Sequence, residues 1–196
     1  MPRTTEDVLP PGRLGSRDQP QVRTEQGLVL RPWRAEDAEV VREAFRDPDI
    51  ERWHLRTLPE DSDATAWIEA SGDDGAAERG ASWAVTAGDG RVVGQVALRG
   101  VNLAMGVTQV SYWVLPEARR QGVATAALQA LSDWALQDVG FHRVWLMHST
   151  RNRPSCVVAE ATGHQPEGTL REALLHADGW HDMHVHGRVD GTSETQ

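Results

Sequence analysis

The chain has 196 residues, 39% of them hydrophobic, and a formal net charge of −9. That length suits one domain with a real core, and the negative charge weighs against a general nucleic-acid partner and favours cationic ones such as amines. All 20 basic residues are arginine, which excludes a phosphate-loop lysine, a pyridoxal Schiff base and any lysine nucleophile. The single cysteine, Cys156, excludes an intramolecular disulfide and a cysteine-based zinc site.

Residues 1–26 are polar and rich in proline and glycine, without the apolar core of a secretory leader. They are expected to form a flexible arm, and the chain is expected to be cytoplasmic. No apolar run reaches the ~18–20 residues of a membrane span, so no membrane partner is expected. "GLVLRPW", 27–33, predicts a first strand stopped by Pro32. "RAEDAEVVREAFRDPD" predicts a helix with Val40, Val41, Ala44 and Phe45 on one face, ended by Asp47-Pro48. "EDSDATAWIEAS" predicts a second short helix. "ASWAVTA", 81–87, "RVVGQVALRGV", 91–101, and "VTQVSYWVL", 107–115, predict an antiparallel meander, with "GDG" as its first turn.

"PEARRQGVATAAL", 116–128, opens the next helix, whose apolar face is Ala124, Ala127, Leu128, Leu131, Trp134 and Ala135. Gly140 is placed to cap its end. A strand at 142–149, a helix at 154–163 and two strands, "GTLREALL" and "WHDMHVHGRV", complete a domain over 27–190. Residues 191–196 are a polar tail. A strand–helix–strand step after a meander predicts an α/β (α+β) fold on a mixed, mostly antiparallel sheet.

The start of the 116–128 helix is unusual. A helix N-terminus is positive and normally carries Asp or Glu, yet here Arg119 and Arg120 precede a glycine and no acidic residue follows until Asp133. Free backbone N–H groups, the dipole end and cationic neighbours make an anion site suited to a pyrophosphate. A solvated helix end is the plain alternative. One glycine is too few for a dinucleotide-binding turn.

"YWVLPEARRQGVATAAL" resembles the acyl-CoA loop of the GNAT acetyltransferases, in which Arg or Gln, two residues, Gly, one residue and Gly or Ala recur; Arg119, Gly122 and Ala124 match. "LVLRPWRAEDAEVVREAFRDPDIERW", Tyr112-Trp113 and "NRPS" resemble its Rim-type branch, which includes ribosomal-protein N-terminal acetyltransferases. The resemblance implies a GNAT fold whose sheet splays at the acetyl-CoA site, and direct transfer of an acetyl group to an amine, a small molecule or a protein N-terminus. It implies acetyl-CoA as co-substrate and no metal. Arg119, Arg120, Gln121, Gly122, Val123, Ala124 and Thr125 would hold the phosphates. Val114 and Leu115 would pair with pantetheine and polarise the thioester carbonyl. Asn152 would contact pantetheine, and Ser155 would protonate the departing thiolate. Both residues also suit an ordinary helix start. Dimers are common in this family.

The general base is not singled out. Related sequences often carry Glu where this chain has Gln109, which takes no proton at neutral pH. Asp182, His54 and His148 are candidates. Asp182, His184 and His186 alternate along one strand, so a metal face is weighed there, but a solvated or acceptor-contacting face is preferred. Trp53 and Trp180 are candidates for the acceptor pocket. A non-catalytic CoA-binding protein and a phosphate-binding domain without CoA are the competing readings.

Overall fold

The computed structural model describes residues 6–15, 18–54 and 62–191. Eight strands form one sheet in the order β1-β2-β3-β4-β5-β6-β8-β7. They are β1 (Val22–Arg23), β2 (Val29–Pro32), β3 (Gly80–Thr86), β4 (Val92–Asn102), β5 (Val107–Val114), β6 (Arg143–Ser149), β7 (Gln165–His176) and β8 (Gly179–Val189). The helices are α1 (Ala38–Arg46), α2 (Pro48–His54), α3 (Ser62–Ala76), α4 (Val123–Asp133) and α5 (Arg153–Ala161). β5 and β6 are parallel because α4 crosses between them, and every other neighbouring pair is antiparallel. This is the mixed sheet expected from the element order.

Period-two alternation on β5 divides the core. Val110 packs with α4 and Phe141 on one face; Trp113, with Leu115 just past the strand, packs with Val41, Phe45 and Trp67 on the other. Trp33, Trp67, Trp83 and Trp113 serve this packing, with Trp33 and Trp67 edge-on at 5.3 Å between centroids.

Asp47-Pro48 ends α1 as expected, but it also begins a helix that the sequence reading does not contain. Proline cannot continue α1, yet its fixed φ suits the first position of α2, and Asp47 Oδ1 accepts the Ile50 N–H at 2.9 Å. The second predicted helix is α3, and residues 60 and 61 of that prediction lie outside the described residues. Past α4 the chain widens into a π-helical turn over Trp134–Val139, closed by Gly140 at φ 96°. The cap falls where the sequence put it.

The segment expected as a flexible arm is in contact with the domain along its described length. Leu9 is buried in the core. The Glu78 carboxylate accepts N–H bonds from Gly12 and Leu14 at 2.6 Å and from Gly15 at 3.2 Å. Trp83 Nε1 donates to the Pro20 carbonyl at 2.8 Å. Residues 192–196 of the predicted tail lie outside the described residues. No helix among the described residues is long and apolar enough to cross a membrane.

Candidate active site

β5 and β6 pair only from Val107↔Arg143 to Gln109↔Trp145, then separate. A cleft of 1190 Å³ opens in the gap, walled by β5, β6, α2, the start of α5 and the loop before α4. The Leu115 N–H donates to the Val93 carbonyl at 3.0 Å, so Leu115 and Val93 are a hydrogen-bonded antiparallel pair. Alternation then turns the N–H and C=O groups of Tyr112 and Val114 away from β4, into the gap. This corrects one expectation. Leu115 is core, buried and with its N–H engaged, so the strand edge open to a ligand belongs to Tyr112 and Val114.

The loop at the mouth of the cleft departs from a regular helix start. A short 3₁₀ turn spans Pro116–Ala118, and α4 begins only at Val123. Arg119 and Arg120 therefore precede the helix instead of forming its first turn. Arg120 at φ 60° and Gly122 at φ 78° are both left-handed, a backbone curvature that gathers N–H groups on one side. Among the described residues, no protein group accepts a hydrogen bond from the backbone N–H of Arg120, Gln121, Gly122, Val123, Ala124 or Thr125. A Cβ built on Gly122 meets nothing within 4 Å.

The two arginines differ. Arg119 pairs with Asp47, lies 3.0 Å from Asp49 Oδ2, and donates through Nε to the Val114 carbonyl at 3.2 Å. It ties the loop to the α1–α2 junction. Arg120 is exposed and lines the cleft. Gln121 does not line it; its amide donates to the Glu117 carbonyl at 2.7 Å.

On the opposite wall, Asn152 caps α5 with its side-chain oxygen 3.3 Å from the Ser155 N–H. Both residues line the cleft. The Ser155 hydroxyl adjoins the Tyr112 phenol. Burial pushes that phenol up to about 12, against a smaller lowering by Ser155. Gln109, His54, His148 and Trp53 also line the cleft, whereas Trp180 is 56% exposed elsewhere. Asp182 is likewise outside it, exposed, and accepts the Glu172 N–H at 2.8 Å. That removes Asp182 from both the base candidates and the alternating metal face.

One constellation was missed in the sequence. Ser149, at the end of β6, lines the cleft, and its Oγ is 2.8 Å from His181 Nδ1. His181 Nε2 is 2.7 Å from Asp178 Oδ1. The Arg151 N–H donates to Ser149 Oγ at 3.1 Å, and the Arg151 guanidinium also lies 2.9 Å from His181 Nε2, beside Asp178. His181 stacks on His176 at 4.0 Å and is 1% exposed. Hydrogen bonds from His181 and Arg52 hold the Asp178 carboxyl below its ordinary value despite partial desolvation. Ser149 and His181 stand 32 residues apart, and only the β6–β8 pairing brings them together.

Three comparisons bear on the family and the fold. A family model described as Acetyltransferase (GNAT) domain matches residues 27–165. YdaF of Bacillus subtilis (strain 168), which carries a provisional name as a ribosomal N-acetyltransferase, is 28% identical over 95 residues. That match covers 48% of this chain and 52% of YdaF, so the aligned part spans about half of this curated relative. RimJ of Mycobacterium smegmatis, solved with CoA-disulfide, superposes with a TM-score of 0.77 at 24% identity, covering 90% of this chain and 89% of RimJ. The ribosomal-protein-S5-alanine acetyltransferase of Vibrio fischeri gives 0.79 at 16% identity, covering 90% and 100%. With the matched domain spanning well over half its length, the chain belongs to the GNAT acetyltransferase family.

Proposed function

We propose that this chain transfers an acetyl group from acetyl-CoA to a primary amine by direct attack. The observation that carries the reading is the joint presence, along one cleft, of an open β5 edge and a loop whose backbone N–H groups, from Arg120 to Thr125, meet no protein acceptor among the described residues. The amides of Arg120 to Thr125 receive the pyrophosphate, and Arg120 adds charge. The Tyr112 and Val114 backbone takes pantetheine as an added strand, with the Asn152 amide nitrogen reaching it from the other wall. The Val114 N–H polarises the thioester carbonyl as the oxyanion develops.

Proton handling has two ends. As the amine nitrogen bonds to the acetyl carbon, Ser149 takes a proton from it and passes its own to His181 Nδ1, while Asp178 holds the Nε2–H against the neighbouring Arg151 guanidinium. As the carbon–sulfur bond breaks, Ser155 donates a proton to the thiolate, with Tyr112 kept protonated beside it. Asp49 is the only carboxylate lining the cleft among the described residues, and it is paired with Arg119. That charge balance favours an acceptor with one amine, such as a protein N-terminus, over a polyamine.

The test is thiol release from acetyl-CoA across peptide N-termini, small monoamines and a polyamine. Single-amine acceptors should turn over best, and kcat/KM should rise with pH about one midpoint whatever the acceptor's own pKa. In His181→Asn that midpoint should instead follow each acceptor amine. Ser155→Ala should lower kcat by about 10²-fold, the low end for general acid help. Acetyl-CoA binding without turnover of any amine would overturn the enzyme reading in favour of a CoA-binding protein.

A further inference from the structure

A second cluster of polar side chains gathers on one face of the β6–β8 pair, and the transfer reaction does not use it. His148 on β6 lies directly opposite His184 on β8, and Leu146 opposite His186, so the three imidazoles share that face. α5 covers it and brings in Cys156. The candidate ligand atoms of His148, Cys156, His184 and His186 lie within 4.8 Å of one another. His148 and His186 are buried, and His184 and Cys156 are half-buried.

Hydrogen bonding fixes which nitrogens face the cluster. His148 Nδ1 is 2.9 Å from the Ser149 carbonyl oxygen, and His186 Nδ1 is 3.3 Å from the His164 carbonyl oxygen. A carbonyl only accepts, so both Nδ1 atoms donate. Each neutral ring then carries its lone pair on Nε2. Those two Nε2 atoms are 3.2 Å apart. Two buried lone pairs at that distance repel unless a cation lies between them. Cys156 Sγ is 4.0 Å from the same His186 Nε2.

We propose that His148, Cys156, His184 and His186 form a four-ligand site for a divalent cation of the zinc class. Zinc–nitrogen bonds of ~2.0–2.1 Å in a tetrahedron set nitrogen–nitrogen edges of about 3.3–3.4 Å, which the His148–His186 separation nearly meets. Donation of the distal ring N–H to a backbone carbonyl is the arrangement that orients metal-bound histidines. Thiolate and imidazole select a borderline cation over magnesium or calcium. A single cysteine excludes a site built on cysteines, but three imidazoles need only one thiolate to complete the set. Binding exchanges the Cys156 thiol proton, released to solvent, for a sulfur–metal bond. Four protein ligands leave no open position, so the metal is structural, joining β6, β8 and α5 at the wall of the cleft that His148 lines. A proton shared by His148 and His186 would relieve that pair alone and give His184 and Cys156 no part.

The experiment uses the full chain without a purification tag, stripped by a chelator and titrated with Zn(II), with Co(II) as the spectroscopic probe and Mg(II) as the hard-cation control. One equivalent of Zn(II) should bind and raise Tm. Co(II) should show a tetrahedral visible spectrum and a thiolate charge-transfer band, and Mg(II) should not compete. Cys156→Ser should lose that band and bind Zn(II) at least about tenfold more weakly, as should His184→Gln. His142→Ala, at an exposed histidine elsewhere, should bind like the parent. Absence of stoichiometric Zn(II), a Co(II) complex without the thiolate band, or Cys156→Ser binding as tightly as the parent would overturn the proposal and leave the shared proton.

Discussion

Two stretches of this chain gather backbone N–H groups, and they resolve them differently. At Gly12, Leu14 and Gly15 the N–H groups converge on the carboxylate of Glu78, more than sixty residues away. At Arg120 to Thr125 no protein acceptor arrives. Both clusters would attract an anion. In the first the chain supplies the anion itself, and the result is an attachment. In the second the nearby carboxylates, Asp47 and Asp49, are held by Arg119 and do not reach the amides. A cluster of N–H groups without a protein acceptor, whose neighbouring acids are neutralised, suits a phosphate ligand. In the proposed function Arg119 would contribute by neutralising Asp47 and Asp49, a different role from the direct contact expected of it.

The comparison breaks most visibly at Gly122. Gly122→Glu places a carboxylate in the open cradle, imitating Glu78. Acetyl-CoA affinity, measured by calorimetry, should fall at least tenfold, about 1.4 kcal/mol. Because Gly122 is left-handed, Gly122→Ala measures the backbone cost alone, about 1 kcal/mol of stability, and should retain most of the binding. A Glu variant that binds like the Ala variant would show the loop to be a solvated helix end.

The arginines sharpen it next. Arg120→Gln should weaken acetyl-CoA roughly fivefold, about 1 kcal/mol, with Tm unchanged. Arg119→Gln should lower both Tm and affinity, because it frees Asp47 and Asp49 beside the phosphates. Equal behaviour of the two variants in thermal melts would contradict the division of roles.

The smallest effect is expected at the filled cradle. Glu78→Gln should cost about 1 kcal/mol after allowance for partial exposure and leave acetyl-CoA binding unchanged. Three backbone N–H bonds hold the Glu78 carboxyl below its ordinary value, against the opposing pull of burial. Its contribution is therefore fully present above the unfolded carboxyl's value of ~4.3 and lost as pH falls through the lower folded value. Chemical denaturation of parent and variant should converge in acid.

Much of the fold is legible in the sequence because it is local. Alternation in 107–115, the apolar face of α4 and Gly140 after it each act within a few residues, and period and capping fix them. Part of the candidate site is legible for the same reason: Gly122, Arg120, Asn152 and Ser155, which line the cleft, sit on turns and helix starts whose chemistry is read from neighbours in sequence. The α2 helix escaped because Asp-Pro is both a stop and a start, and which role governs depends on what α2 packs against.

Pairing across the sheet decided the rest. Register alone determined that Leu115 spends its N–H on Val93 while Tyr112 and Val114 face the cleft. Ser149, His181 and Asp178 carry no common spacing, and only the β6–β8 ladder and the turn before β8 set them in line. In "HDMHVH" the alternation put two histidines on one face correctly, but their partners are His148 from β6 and Cys156 from α5. Asp182, the neighbour in sequence, is not among them. A strand's period states which face a side chain takes; what it meets there is fixed by the segments that fold against it.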